Sequence, residues 1–152
     1  MKKFAFFILI IIVFTLNISA QHNGWFTDEK LAKEYAGNKN IPILLVFGGS
    51  DWCRPCMMLK KDILHSEDFS KYFPEKFALL YLDFPVKKKN KLSPEMTIQN
   101  DKLAEKFNKS GAFPNIVLVD TNERKLGTLI FKNQTPTEFI MECEKLLSSL
   151  KK

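Results

Sequence analysis

The sequence predicts a three-layer α/β domain, with a mixed sheet of about four strands and helices on both faces. Two runs, Ile41–Phe47 (IPILLVF) and Phe77–Phe84 (FALLYLDF), are continuously apolar, which is typical of strands buried on both faces. Helix-like segments precede and follow these runs, so parallel neighbours joined by right-handed crossovers are expected. A short polar link between the last two strands predicts an antiparallel hairpin.

The first half of this order depends on clear boundary signals. A first helix is predicted over Thr27–Asn38, with Thr27 as its N-cap and Gly37 near its end. The apolar run that follows ends at Gly48-Gly49, and a second helix is predicted over Cys53–Leu64. The second apolar run then leads into Pro85–Ile98, which is polar and basic and is expected to be an extended connection.

The second half is predicted to add one helix, the hairpin and a final helix. The predicted elements are a helix over Asn100–Asn108, strands over Pro114–Asp120 and Leu126–Lys132, and a helix over Pro136–Leu150. Thr135 and Glu138 have the spacing of a capping box at the start of the last helix. Cys143 lies on the apolar stripe of that helix, where it is expected to pack as a small hydrophobic residue.

The first twenty residues have the pattern of a secretory signal. Lys2 and Lys3 precede the almost continuously apolar stretch Phe4–Leu16, and Ala20 supplies a small residue at the cleavage point. The apolar stretch is shorter than the roughly 20 residues that span a bilayer. We therefore expect a signal peptide over 1–20 and a secreted or periplasmic domain over 21–152. An uncleaved N-terminal anchor is the alternative.

Composition excludes several classes of protein. The 152 residues are 45% hydrophobic with 14 Phe, which argues against a disordered chain, and three cysteines are too few for a disulfide-stapled scaffold. Without the leader's two lysines the net charge falls from +6 to +4. The run Lys87-Lys88-Lys89 and Lys91 lacks interleaved aromatic residues, so a solvated loop is expected and a nucleic-acid partner is not.

The reactive chemistry is predicted at Cys53 and Cys56. A C-x-x-C pair that follows a buried strand and opens a helix is typical of a redox dithiol. The helix N-terminus stabilises the Cys53 thiolate, and the cation of Arg54 adds to this effect. Cys53 is therefore expected to attack a partner disulfide and Cys56 to resolve the mixed disulfide. Half of a zinc site and a buried structural disulfide are the alternatives.

The segment Trp52-Cys53-Arg54-Pro55-Cys56 resembles the W-C-x-P-C motif of thioredoxins. The chain is most similar to secreted bacterial thioredoxin-like proteins related to periplasmic disulfide-interchange domains. Ser50-Asp51-Trp52-Cys53, and a lysine-rich insertion after Asp83-Phe84-Pro85, are common features of those proteins. The resemblance implies that Pro114 is cis and faces the cysteines, and that the backbone of Phe113 binds the substrate chain. It also implies that Trp52, Arg54 and Pro55 lie at the substrate groove.

One position departs from the family pattern. Thioredoxins usually carry a buried acid six residues before the first cysteine, where it helps to deprotonate the resolving cysteine. Phe47 occupies that position here. Asp51 is close in sequence but is expected in a solvated loop, so the base that replaces the acid is not identified.

Together these observations predict a thiol–disulfide oxidoreductase that reduces protein disulfides. The expected partners are client disulfides and an upstream thiol electron donor, and the protein is expected to be a monomer. No cofactor or metal is expected, because the dithiol itself carries two electrons. An oxidase or isomerase of the same fold is one alternative. A copper- or haem-maturation module is another, since Met57 and Met58 beside two thiols would suit Cu(I).

Overall fold

The computed structural model describes residues 24–150, and the predicted signal peptide over 1–20 lies outside them. The domain contains one five-stranded sheet in the order β1-β3-β2-β4-β5. The strands are β1 (Trp25–Phe26), β2 (Ile43–Gly48), β3 (Ala78–Asp83), β4 (Asn115–Val119) and β5 (Lys125–Leu129). The helices are α1 (Glu29–Lys39), α2 (Arg54–Met58), α3 (Glu67–Tyr72), α4 (Pro94–Phe107) and α5 (Pro136–Ser149).

The sheet is mixed, as the sequence predicts. Strands β1 and β2 both run parallel to β3, while β4 runs antiparallel to β2 and to β5. The sheet has five strands instead of the expected four, because Trp25 and Phe26 pair with Leu79 and Leu80 at its edge. A two-residue strand carries no periodic pattern, so the sequence gives no signal for it.

Each face of the sheet buries its own apolar cluster. Alternate residues of β2 point to opposite faces, so Leu44 and Val46 join one cluster while Ile43, Leu45 and Phe47 join the other. Residues from α3 and α5 cover the first face, including Phe69 and Phe139. Residues from α1 and α4 cover the second face, including Ala32 and Leu103. The predicted arrangement of helices on both faces is therefore confirmed.

Two helices differ from the expectation. Helix α4 begins at Pro94, inside the segment predicted to be extended, because the Ser93 side chain accepts a hydrogen bond from the Met96 amide and caps it. Helix α3 was not predicted, and Ser66 caps it through the Phe69 amide. Both helices bury few residues, so their apolar periodicity is weak.

Of the two predicted helix N-caps, the one at the last helix is confirmed and the one at the first helix is wrong. Thr135 and Glu138 form the expected capping box, in which each side chain bonds the other residue's backbone amide. Helix α1 is capped by Asp28, whose carboxylate accepts from the Leu31 amide, and not by Thr27. Within residues 24–150 no helix combines the length and hydropathy needed to cross a membrane.

Candidate active site

The two cysteines lie at the carboxyl end of β2, where α2 begins. Cys53 is the N-cap of α2, and its sulfur accepts a hydrogen bond from the Cys56 amide at 3.2 Å. The sulfurs form a disulfide with an S–S distance of 2.01 Å. Cys53 is 5% exposed and Cys56 is 1% exposed. Cys53 is thus slightly the more exposed residue of the pair, and as the N-cap it receives a free amide of the helix.

Helix α2 continues into a π-helical turn over Leu59–Leu64, so the predicted helix from Cys53 to Leu64 is one body with a change of pitch. Pro55 occupies its first turn, where its missing amide hydrogen costs nothing. Leu59, Ile63 and Leu64 are buried against the sheet. This packing anchors the helix, and the cysteines stay at its outer end with Arg54 exposed beside them.

Trp52 forms an exposed wall next to the disulfide. The residue is 46% exposed, and its indole nitrogen donates a 2.7 Å hydrogen bond to the Phe84 carbonyl. The ring contacts Phe113 edge-on at a centroid distance of 5.3 Å. Phe113 also contacts Phe84 at 5.3 Å, and Phe84 stacks on Phe47 at 6.4 Å. Four aromatic rings therefore run in contact from the buried strand to the site surface.

The Phe113–Pro114 peptide bond is cis. Pro114 directly precedes Asn115, which pairs with Phe47 at the end of β2. Because this register brings the start of β4 to the carboxyl end of β2, Pro114 lies at the same sheet edge as the residues that lead to Cys53. The residues implied by the resemblance are thus gathered at one edge, and their individual roles stay predictions.

A network of hydrogen bonds joins the residues before Cys53 to those after β3. The Asp83 carboxylate accepts from the Ser50 amide at 2.8 Å and from the Ser50 hydroxyl at 2.6 Å. The Asp51 carboxylate accepts from the Val86 and Lys87 amides, each at 3.0 Å. Each segment therefore supplies one carboxylate that binds the other segment.

Sequence reasoning missed Asp83 and Asp51 as fastening residues, although it noted both motifs. Asp51 also accepts from the Asn90 side chain at 2.9 Å, so its carboxylate is committed to the lysine-rich segment. The hydrogen bond from the Val86 amide is the main cause that holds the pKa of Asp51 below its ordinary value. Asp51 lies in the turn between β2 and α2, as the expected loop position implies, and its carboxylate is occupied by these three donors.

Three other residues that the sequence singles out have no role in the disulfide exchange described above. Phe47 is fully buried in an apolar cluster. Cys143 is 1% exposed within the opposite cluster, and burial raises the pKa of its thiol to about 12. Such a thiol is a poor nucleophile at neutral pH. Met57 is 43% exposed on the outer side of α2.

A disulfide at a helix N-terminus directly after a central strand, with a cis-proline at the same edge of the sheet, defines the class of thioredoxin-fold dithiol proteins. The thioredoxin-like family profile matches residues 25–121, and the chain belongs to this family. It is 31% identical over 101 residues to disulfide bond reductase DsbH of Chlamydia pneumoniae, covering 66% of this chain and 59% of that protein.

Two further comparisons agree with this assignment. Thioredoxin-related protein DsbJ of Chlamydia pneumoniae is 30% identical over 112 residues, covering 73% of this chain and 31% of that protein. A solved structure described as DsbH oxidoreductase superposes with a TM-score of 0.70 at 27% identity, covering 77% of this chain and 79% of that one. The chain matches 59% of one curated relative's length and 31% of the other's.

Proposed function

We propose that this protein is a thiol–disulfide oxidoreductase that reduces disulfides in client proteins. The observation that carries the proposal is the Cys53–Cys56 disulfide at the start of α2, with the more exposed cysteine at the N-cap. Similarity to a protein named disulfide bond reductase supports reduction as the direction. In this proposal Trp52, Arg54, Pro55, Phe113 and Pro114 form the surface that binds the client.

The reaction exchanges one disulfide for another. The Cys53 thiolate attacks a sulfur of the client disulfide, which forms a mixed disulfide and releases one client thiolate. Cys56 then attacks the Cys53 sulfur, which closes the intramolecular disulfide and releases the second client thiolate. The proton of Cys56 passes to a client sulfur or to solvent. The client gains two electrons, and an upstream thiol donor must reduce the enzyme again.

Insulin reduction in the presence of a thiol donor tests this activity. The wild-type protein should accelerate insulin precipitation, and Cys53→Ser should abolish the acceleration. Cys56→Ser should instead accumulate a mixed disulfide with the client, because the resolving thiol is missing. Cys143→Ser is the matched control and should keep full activity. Full activity of Cys53→Ser would refute the mechanism.

The reduction potential separates a reductase from the alternative oxidase or isomerase. Equilibration with glutathione measures the potential of the Cys53–Cys56 pair. A value near about −270 mV would match a thioredoxin-like reductase, whereas one near about −120 mV would indicate an oxidant.

We also infer that the protein is exported and acts outside the cytoplasm. The basic start and apolar stretch within residues 1–20 support export, and a redox-active disulfide suits an oxidising compartment. Mass spectrometry of the protein recovered from its producing cell should give a chain that begins at Gln21. Recovery of the intact N-terminus in the membrane fraction would favour an anchored form instead.

A further inference from the structure

The segment after β3 carries a concentrated positive charge. Lys87, Lys88, Lys89 and Lys91 are all exposed, and residues 84–93 contain no acidic side chain. None of these four lysines forms an ion pair with any residue of the described chain. Five other lysines do form such pairs: Lys33, Lys39, Lys71, Lys76 and Lys106. The four ammonium groups are thus available to an outside partner.

This segment is fastened beside the redox pair. Asp51 accepts hydrogen bonds from the amides of Val86 and Lys87 and from the Asn90 side chain. Asp51 precedes Cys53 by two residues, a separation of at most about 7 Å along the chain. The Trp52 indole adds a bond to the Phe84 carbonyl. The backbone that carries the lysines is therefore held in a defined position near the disulfide.

The charges around the segment do not cancel it. Asp51 and Asp83 are carboxylates of the neighbouring segments, and their two negative charges offset only half of the four positive charges on the lysines. Arg54, the residue after Cys53, is exposed and adds a further cation. Because a potential of one sign at a binding surface attracts partners of the opposite sign, this arrangement favours an acidic partner.

We propose that the Lys87–Lys91 segment is a docking surface for acidic polypeptide segments that flank the disulfide of a client or donor protein. This inference rests on the proposed function, because it assigns the partner of the same dithiol. A polypeptide is favoured because it can place a disulfide at Cys53 while its carboxylates lie on the lysines. The exposed rings and aliphatic groups of Trp52 and Val86 offer apolar contacts to such a chain.

Three synthetic peptides with the same disulfide loop and acidic, neutral or basic flanks test the proposal. The second-order rate of their reduction by the reduced protein is measured at about 20 mM and about 300 mM sodium chloride, which differ in screening length. The acidic peptide should react about tenfold faster than the basic one at low salt, and high salt should reduce that ratio.

Charge-reversing variants locate the effect. Lys88→Glu/Lys89→Glu should remove or invert the preference for acidic flanks and leave the neutral peptide's rate unchanged. The matched control is Lys125→Glu/Lys145→Glu, which makes the same charge change at two exposed lysines outside the segment and should keep the preference.

The outcomes separate this inference from the proposed function. Reduction of all three peptides at equal rates, or an unchanged preference in Lys88→Glu/Lys89→Glu, overturns the docking surface and leaves the oxidoreductase intact. Failure to reduce any peptide overturns both. Equal peptide rates together with Lys88- and Lys89-dependent binding to phosphatidylglycerol vesicles would assign the lysines to an anionic membrane surface instead.

Discussion

The bond between Ser50 and Asp83 should make a measurable contribution to stability. Ser50→Ala removes the 2.6 Å hydroxyl-to-carboxylate hydrogen bond and leaves the 2.8 Å bond from the backbone amide. A hydrogen bond to a charged group contributes about 1.5–3 kcal/mol. Both residues are half-buried, so water replaces part of the lost bond. We expect the free energy of unfolding to fall by about 1.5 kcal/mol, the lower end of that range.

Urea unfolding of the oxidised protein, followed by far-UV circular dichroism, measures this change. The double variant with Asp83→Asn should show non-additivity of about 1 kcal/mol, because Asp83→Asn replaces the charged acceptor of the same bond with a neutral amide. Ser70→Ala is the matched control, since Ser70 is exposed on α3 and its change should stay within about 0.5 kcal/mol. An effect of Ser50→Ala as small as the control's, or strict additivity with Asp83→Asn, would refute the reasoning.

Three further predictions concern groups outside the dithiol. In the reduced folded protein, Cys143 should react with Ellman's reagent only after denaturation because of its burial and its raised pKa; rapid labelling of a third thiol would contradict this. Hydrogen bonds from Lys106 and Lys33 lower the pKa of Glu123 from 4.5 to about 2. The stabilisation by Glu123 should therefore be complete above pH 4.5 and be lost as pH falls towards 2, and Glu123→Gln should remove this dependence in acid-unfolding curves. A methyl group on Gly48 would lie within contact distance of the unpartnered Tyr81 hydroxyl, so Gly48→Ala should destabilise the fold by about 1–3 kcal/mol. Adding Tyr81→Phe should restore part of that loss in urea unfolding, and no rescue would rule out this clash.

The elements that the sequence predicted well carry their signals locally. The last helix has a capping box at Thr135 and Glu138 and an apolar stripe, and its observed start at Pro136 agrees. Helix α4 also had a local signal, Ser93 followed by Pro94, but its polar surroundings favoured an extended reading. Strand β1 exists only because its two residues pair with β3, and no local pattern reports such a contact.

The same distinction applies to the site. Cys53 and Cys56 could be found because their spacing and their place after a strand express the chemistry directly. The fastening role of Asp83 could not be found, because its partner Ser50 lies 33 residues earlier and the bond depends on the register of β2 and β3. The family resemblance includes both Ser50-Asp51-Trp52-Cys53 and Asp83-Phe84-Pro85, without a reason for their joint presence. The structure gives a physical reason: each segment supplies a carboxylate that accepts hydrogen bonds from the other segment.

Phe47 stands where thioredoxins usually carry a buried acid, and its packing affects how the resolving cysteine can lose its proton. Phe47 packs on Phe84 within an apolar cluster, and Phe84 in turn meets Phe113 and accepts the Trp52 hydrogen bond through its carbonyl. An ionised carboxylate placed in such a cluster would carry a large desolvation cost. The interior at this position therefore favours aromatic packing over proton transfer. In the proposed exchange the proton of Cys56 must then leave towards the client or solvent, so the rate of the resolving step should depend on the client's leaving thiol more than on a buried base.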